Sequence, residues 1–226
     1  MDLTAALAKL DLSTSLASDT VMPERSAPAT TGETLLEVRN LAVRFGGVIA
    51  LQDVSFKVLK GDIVGLIGPN GAGKTTLFNC LSRLYQPSGG EIRFEGRSLL
   101  SVPAHRTGEL GIGRTFQNVA LFDRMSVRDN VLVGGHMTSK SGFVSNALKL
   151  PWVAREEQVL QQRADELIAF MGLAGYGEQL AGGLPFPIRK RIELARGLMT
   201  KPKLLLLDEP AAGLNHEEVS VLKTQI

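Results

Sequence analysis

Gly68-Pro-Asn-Gly-Ala-Gly-Lys-Thr75 fits the spacing G-x-x-x-x-G-K-[ST], and a chain that carries it is restricted to folds in which a strand feeds a glycine loop and a helix leaves it. Glycines let the backbone curl until successive amides point at one centre, which suits phosphate oxygens. A helix starting at Lys74 adds the positive end of its dipole. The Lys74 ammonium neutralises β- and γ-phosphates, and the Thr75 hydroxyl is a ligand for magnesium. Thr76 supports the same phosphates. The expected cradle is therefore Gly68, Asn70, Gly71, Ala72, Gly73, Lys74, Thr75 and Thr76. A random chain of this length would match the pattern roughly once in a hundred, so the loop is read as a binder of Mg-ATP or Mg-GTP rather than a connector.

The flanks agree. Asp62-Ile-Val-Gly-Leu-Ile-Gly68 reads as a short strand buried on both faces, and a helical pattern runs from Lys74 to about Leu84. Far along the chain, Leu204-Leu-Leu-Leu-Asp208-Glu209 ends a second apolar strand with two acids, at the edge where open α/β sheets bind ligands. Asp208 is placed to hold magnesium. Glu209, turned otherwise, can polarise the water that attacks a γ-phosphate.

Between and before these motifs the chain changes texture. Residues 1–34 are rich in Ala, Ser and Thr and predict a flexible N-terminal tail. Residues 35–117 predict a nucleotide-binding core with an antiparallel β-layer, since Leu36, Val38, Leu41 and Val43, then Val54, Phe56 and Val58, sit among polar neighbours. Residues 118–200 predict a helical subdomain, with Ser126 and Asp129 spaced as a capping box. Residues 201–226 return to the core through the strand Lys203 to Leu207, a turn at Ala211 to Leu214 and a helix starting at His216.

Composition removes other classes. Twenty-five basic residues against 23 acidic ones leave a net charge of +2 spread along the chain, so no field exists to hold nucleic acid. A lone cysteine, Cys80, cannot form an internal disulfide, which fits a reducing compartment. No apolar run reaches the roughly 18 residues needed to cross a bilayer.

Together with Gln117 in Arg114-Thr-Phe-Gln-Asn118 and with Ala212-Gly-Leu-Asn215, these motifs resemble the ATP-binding cassettes of ABC transporters, from about Leu35 to the end. The resemblance implies a P-loop NTPase core of the RecA-like α/β class, with an antiparallel β subdomain and an inserted α-helical subdomain. It implies ATP and Mg2+ as cofactors, with the metal held by Thr75, Gln117 and Asp208, and catalysis by Glu209, Gln117 and Lys74. Phe45 becomes the ring that stacks on adenine, the alternative being a ring packed in the core. Asn215 lies in the loop that meets a second cassette, and Leu121, Phe122 and Met125 line the groove for a permease helix. Guanine is disfavoured, since the sequence has no Asn-Lys-x-Asp.

Phe45-Gly-Gly-Val-Ile-Ala-Leu51, the stretch from Arg114 to Phe122, and Pro210-Ala-Ala-Gly-Leu-Asn215 are similar to cassettes of branched-chain amino-acid importers. Urea and amide importers share this texture. Partners implied are membrane permease subunits, a second cassette and, indirectly, a periplasmic binding protein, with the chain peripheral on the cytoplasmic face of the inner (plasma) membrane.

Two departures stand out. Counting back from Arg191-Ile-Glu-Leu-Ala-Arg196 puts the family's signature at Leu184-Pro-Phe-Pro-Ile-Arg189, with Pro187 where the family has glycine and Arg189 where it usually has glutamine. Proline has no NH to give a γ-phosphate. Leu180-Ala-Gly-Gly183 lies too early to replace it and reads as a turn, and Arg189, Lys190 and Arg191 read as a solvated helix face. The family also places a γ-phosphate histidine some tens of residues beyond Glu209, whereas this sequence stops at Ile226, so a C-terminally truncated cassette is expected, with weak turnover alone. A nucleotide-binding module with little turnover is the competing expectation.

Overall fold

Leu36 and Val38 are two residues apart, as are Leu41 and Val43, but Val38 and Leu41 are three apart, and a strand can bury all four on one face only if it carries an extra residue. The computed structural model contains that bulge. Val38 faces Phe56 and Leu41 faces Val54, three steps on one strand against two on the other. Asn40 takes up the slack with φ of +46°. Its amide donates to Ser55 Oγ at 2.8 Å and its side chain to Asp53 Oδ1 at 2.6 Å. All four apolar residues are 1% exposed or less, each adding about 1.5–3 kcal/mol of transfer free energy.

The structure describes residues 22–25, 32–115, 120–135 and 151–225, which fall into two units, Met1–Ala104 and His105–Ile226. In the first, β1 (Met22–Arg25) lies within the stretch read as a tail, β2 is Thr34–Phe45, β3 is Val48–Leu59 and β4 is Val64–Ile67. Then come α1 (Lys74–Leu81), β5 (Gly89–Phe94) and β6 (Arg97–Ser98). Strands β3-β2-β5-β6 form an antiparallel sheet, while β1 pairs antiparallel with β4. Strand β4 departs from expectation: it is not buried on both faces, for Ile63 and Ile67 are exposed. Its ladder is two-stranded, with β1 as the neighbour.

The second unit holds β7 (Ile112–Arg114), α2 (Val127–Gly135), α3 (Pro151–Phe170), α4 (Phe186–Leu198), β8 (Leu204–Leu206) and α5 (His216–Gln225). Val127 and Val131 of α2, Ala164 and Ile168 of α3, and Ile192 and Ala195 of α4 share one buried cluster. These pairs lie three or four residues apart, the spacing of one helix face. Ser126 caps α2 as expected, accepting from the Asp129 amide at 3.0 Å and donating to Asp129 Oδ2 at 2.7 Å. The last carbonyls of α4 are met from α3: Arg163 donates to Leu198 O at 2.8 Å and Met199 O at 3.1 Å. Strands β7 and β8 run parallel, Arg114 opposite Leu206, so the chain leaving β8 passes directly into Asp208 and Glu209. Among the described residues, no helix is long and apolar enough to cross a membrane.

Candidate functional site

The phosphate loop hangs between β4 and α1, and its shape depends on glycine. Gly71 and Gly73 have φ of +86° and +87°, a region where a side chain with a Cβ costs roughly 1–2 kcal/mol. Gly73 is doubly constrained: a Cβ there would lie 2.5 Å from Ala50 O and 2.6 Å from Leu51 Cδ2 of β3. The loop is thus pressed against the β-layer, and the Gly73 carbonyl opens α1 by accepting from Leu77 NH at 2.9 Å. Leu77, Cys80 and Leu81, at i, i+3 and i+4, bury one face of α1. Burial pushes the Cys80 thiol up to about 11, so the thiol there is a packing group.

At the mouth of the loop, Asn70, Gly71 and Thr75 are exposed. The Lys74 ammonium folds back on the loop and donates to Gly68 O at 2.6 Å and Pro69 O at 2.8 Å. Those neutral carbonyls are weak competitors for an ammonium compared with phosphate oxygens. Amides of a helix's first turn have no intrahelical acceptor, so the start of α1 and the Lys74 ammonium offer donors of the kind that suit an anion.

Phe45, at the end of β2, is not a core ring. It is 47% exposed and meets the edge of Tyr85 with centroids 5.2 Å apart and planes at 74°. Tyr85 escaped the sequence reading, because nothing local links it to a residue forty positions earlier.

The second unit carries the two acids. Asp208 is 7% exposed and pairs with Arg114, Nη2 to Oδ2 at 3.4 Å. The parallel β7–β8 register brings this pair together. Glu209 is exposed, with φ of +47°. Thr75 in the first unit offers an exposed hydroxyl and Asp208 in the second a carboxylate, each a hard oxygen donor of the kind Mg2+ accepts. Gln117 lies outside the described residues.

Around the signature the expectations need one correction. Helix α4 begins at Phe186 with Pro187 as its second residue and no side-chain cap, so the start of this helix offers one amide fewer, as anticipated. Ala181–Gly183 is a short 3-10 turn. The basic run is not a solvated face. Lys190 is 7% exposed and donates to Glu209 O at 2.9 Å, Arg189 donates to Asp123 Oδ1 at 2.7 Å, and Arg191 donates to Met171 O at 3.3 Å. Carbonyls and a carboxylate brought in from other segments recruit each cation, a contact that charge spacing alone does not reveal.

Buried Asn130 shapes the loop read as permease-facing. Its carboxamide accepts from Phe122 NH at 2.9 Å and donates to Phe122 O at 3.1 Å and Ser126 O at 2.9 Å. This leaves Phe122 51% exposed, whereas Leu121 packs on the helical cluster. Asn215 caps α5 reciprocally: it accepts from Glu218 NH at 2.9 Å, and its own NH donates to Glu218 Oε2 at 2.8 Å. His216 begins that helix, as expected.

Comparison with known proteins is consistent with this geometry. The family model described as ABC transporter matches residues 51–212. The high-affinity branched-chain amino acid transport ATP-binding protein BraF of Pseudomonas aeruginosa is 43% identical, over 85% of this chain and 75% of that protein. LivG of Escherichia coli, with the same printed description, is 42% identical over 83% of this chain and 74% of its own length. Among solved structures, the ADP conformation of an ATP-binding cassette of an ABC transporter superposes with a TM-score of 0.70 at 29% identity, covering 85% of this chain and 75% of that one.

Proposed function

Since the chain belongs to the ABC transporter family, an ATPase family, we propose that it powers import of branched-chain amino acids through a membrane permease, working with a second cassette at the cytoplasmic face of the membrane. The observation that carries the reading is the glycine cup that leaves the Lys74 ammonium on two neutral carbonyls. The identity to BraF and LivG supports the solute.

In this reading Lys74 exchanges the Gly68 and Pro69 carbonyls for β- and γ-phosphate oxygens. The amides at the start of α1 take the remaining charge, and Phe45 stacks on adenine. Thr75, Asp208 and Gln117 would hold Mg2+, which supplies charge neutralisation between the phosphates. Glu209 accepts a proton from water as its oxygen attacks the γ-phosphorus and the bond to the ADP oxygen breaks. Protein groups here position and stabilise charge rather than form covalent bonds. Residues 35–117 and 201–226 are assigned to the nucleotide core and 118–200 to the helical lobe. Asn215 and the signature face the second cassette, and Phe122 the permease.

A binding module with little turnover is the second reading, favoured by Pro187 at the start of α4. Reconstituted transporter separates the two: leucine with its binding protein should stimulate ATP hydrolysis and uptake, with urea inert. Tight Mg-ATP binding with no stimulated hydrolysis selects the second reading, and stimulation by urea alone contradicts the solute.

A further inference from the structure

If Glu209 polarises the attacking water, its carboxylate has to be aimed, yet its backbone lies at φ of +47°, a region that side chains avoid and that persists only where surroundings over-determine it. One hold is local: the Ala212 amide donates to Glu209 O at 3.1 Å. Another comes from α4. Lys190 Nζ donates to the same Glu209 oxygen at 2.9 Å and reaches Pro210 O at 3.5 Å. One turn before it, Phe186 sets its ring 5.9 Å from the ammonium, and the ring lies so close to Gly213 that a Cβ there would come within 2.9 Å of Phe186 Cε1. Two side chains of α4 therefore grip the segment 209–213, one at each end.

Lys190 is 7% exposed as a residue, and a lysine so enclosed is costly to bury unless its ammonium hydrogens are taken up. An aliphatic residue would fill the space more cheaply, so the charge is the informative feature. We propose that Lys190 is a positioning residue for hydrolysis: its ammonium on the Glu209 carbonyl fixes the left-handed backbone at Glu209 and thereby the direction of the carboxylate. This rests on the reading of Glu209 given above. It also gives the signature helix a direct hold on the residue that activates water.

The test uses the assembled transporter with Lys190→Met, Lys190→Arg and Glu209→Gln, each measured for kcat, ATP affinity and melting. Methionine keeps the length and loses the donor, so kcat should fall by roughly 10- to 100-fold, the usual effect of a misaimed group, with ATP affinity unchanged within about twofold. Arginine, which retains a charged donor, should recover most of the loss. Turnover unaffected by Glu209→Gln removes the premise itself. Loss of turnover in Glu209→Gln beside parental kcat in Lys190→Met overturns the positioning role. So does a joint fall of kcat, affinity and melting in Lys190→Met, or a failure of Lys190→Arg to recover kcat, since either would make Lys190 only a packing element.

Discussion

Gly71→Ala and Gly73→Ala form a matched pair that isolates what the phosphate loop requires. Both positions have φ near +87°, so each alanine carries the same left-handed penalty of roughly 1–2 kcal/mol. Gly71 has nothing within 4 Å of an added Cβ, whereas at Gly73 it would meet Ala50 O at 2.5 Å and Leu51 Cδ2 at 2.6 Å. The Leu51 methyl can swing aside, but the Ala50 oxygen belongs to β3 and moves only with its strand. Overpacking of this kind adds about 1–3 kcal/mol, making Gly73→Ala worse by that amount and roughly 2–5 kcal/mol in total. In a chain of this size about 1 kcal/mol shifts Tm by some 2–4 °C. Gly71→Ala should then lower Tm by about 2–8 °C and Gly73→Ala by about twice to three times as much. Calorimetric melting checks the stability side and titration with Mg-ATP the functional side, where Gly73→Ala should lose at least about tenfold more affinity than Gly71→Ala, since displacing the loop displaces its amides. Equal losses in the two variants would refute the close approach of loop and β3.

Replacing Pro187 by glycine restores an amide at the start of α4; in the assembled complex this should raise ATP turnover by roughly 10- to 150-fold, one charge-assisted hydrogen bond being worth about 1.5–3 kcal/mol, with the chain's own ATP affinity unchanged by titration. Phe45→Ala removes an exposed stacking ring and should weaken binding of ATP and ADP alike by about 3- to 10-fold, while inorganic triphosphate, lacking a base, binds as before. Cys80 stays protonated in the folded state up to about 11 against an ordinary 9.0. Between those values the folded state binds the extra proton, so stability falls as pH rises through that window, and Cys80→Ala should flatten the decline in urea melts taken from pH 9 to 11.

What the sequence made legible was whatever local spacing decides. The glycine loop, the Ser126 cap, the strand alternation and the His216 helix start are each fixed within a few residues, where backbone geometry and side-chain reach leave little choice. Even the bulge at Asn40 is written in the three-residue step from Val38 to Leu41. Contacts made across the chain were not legible. Arg114 meets Asp208 from 94 positions away and Lys190 meets Glu209 from 19, because parallel strand pairing and helix packing bring them together. A cationic run such as Arg189, Lys190 and Arg191 therefore looks solvated until its acceptors are placed. The exposure of β4 was likewise missed, since an apolar run does not reveal how many strands will flank it.

The claim on which the rest depends is that the cup around Lys74 takes a triphosphate. Isothermal titration of Mg-ATP into the full chain, alone and with a second cassette, against Lys74→Ala, tests it most directly. Saturable binding at one ATP per chain, weakened by at least about 10-fold in Lys74→Ala through loss of a charge-assisted contact, is the predicted result. Absence of binding in both settings, or an affinity indifferent to Lys74, would contradict it.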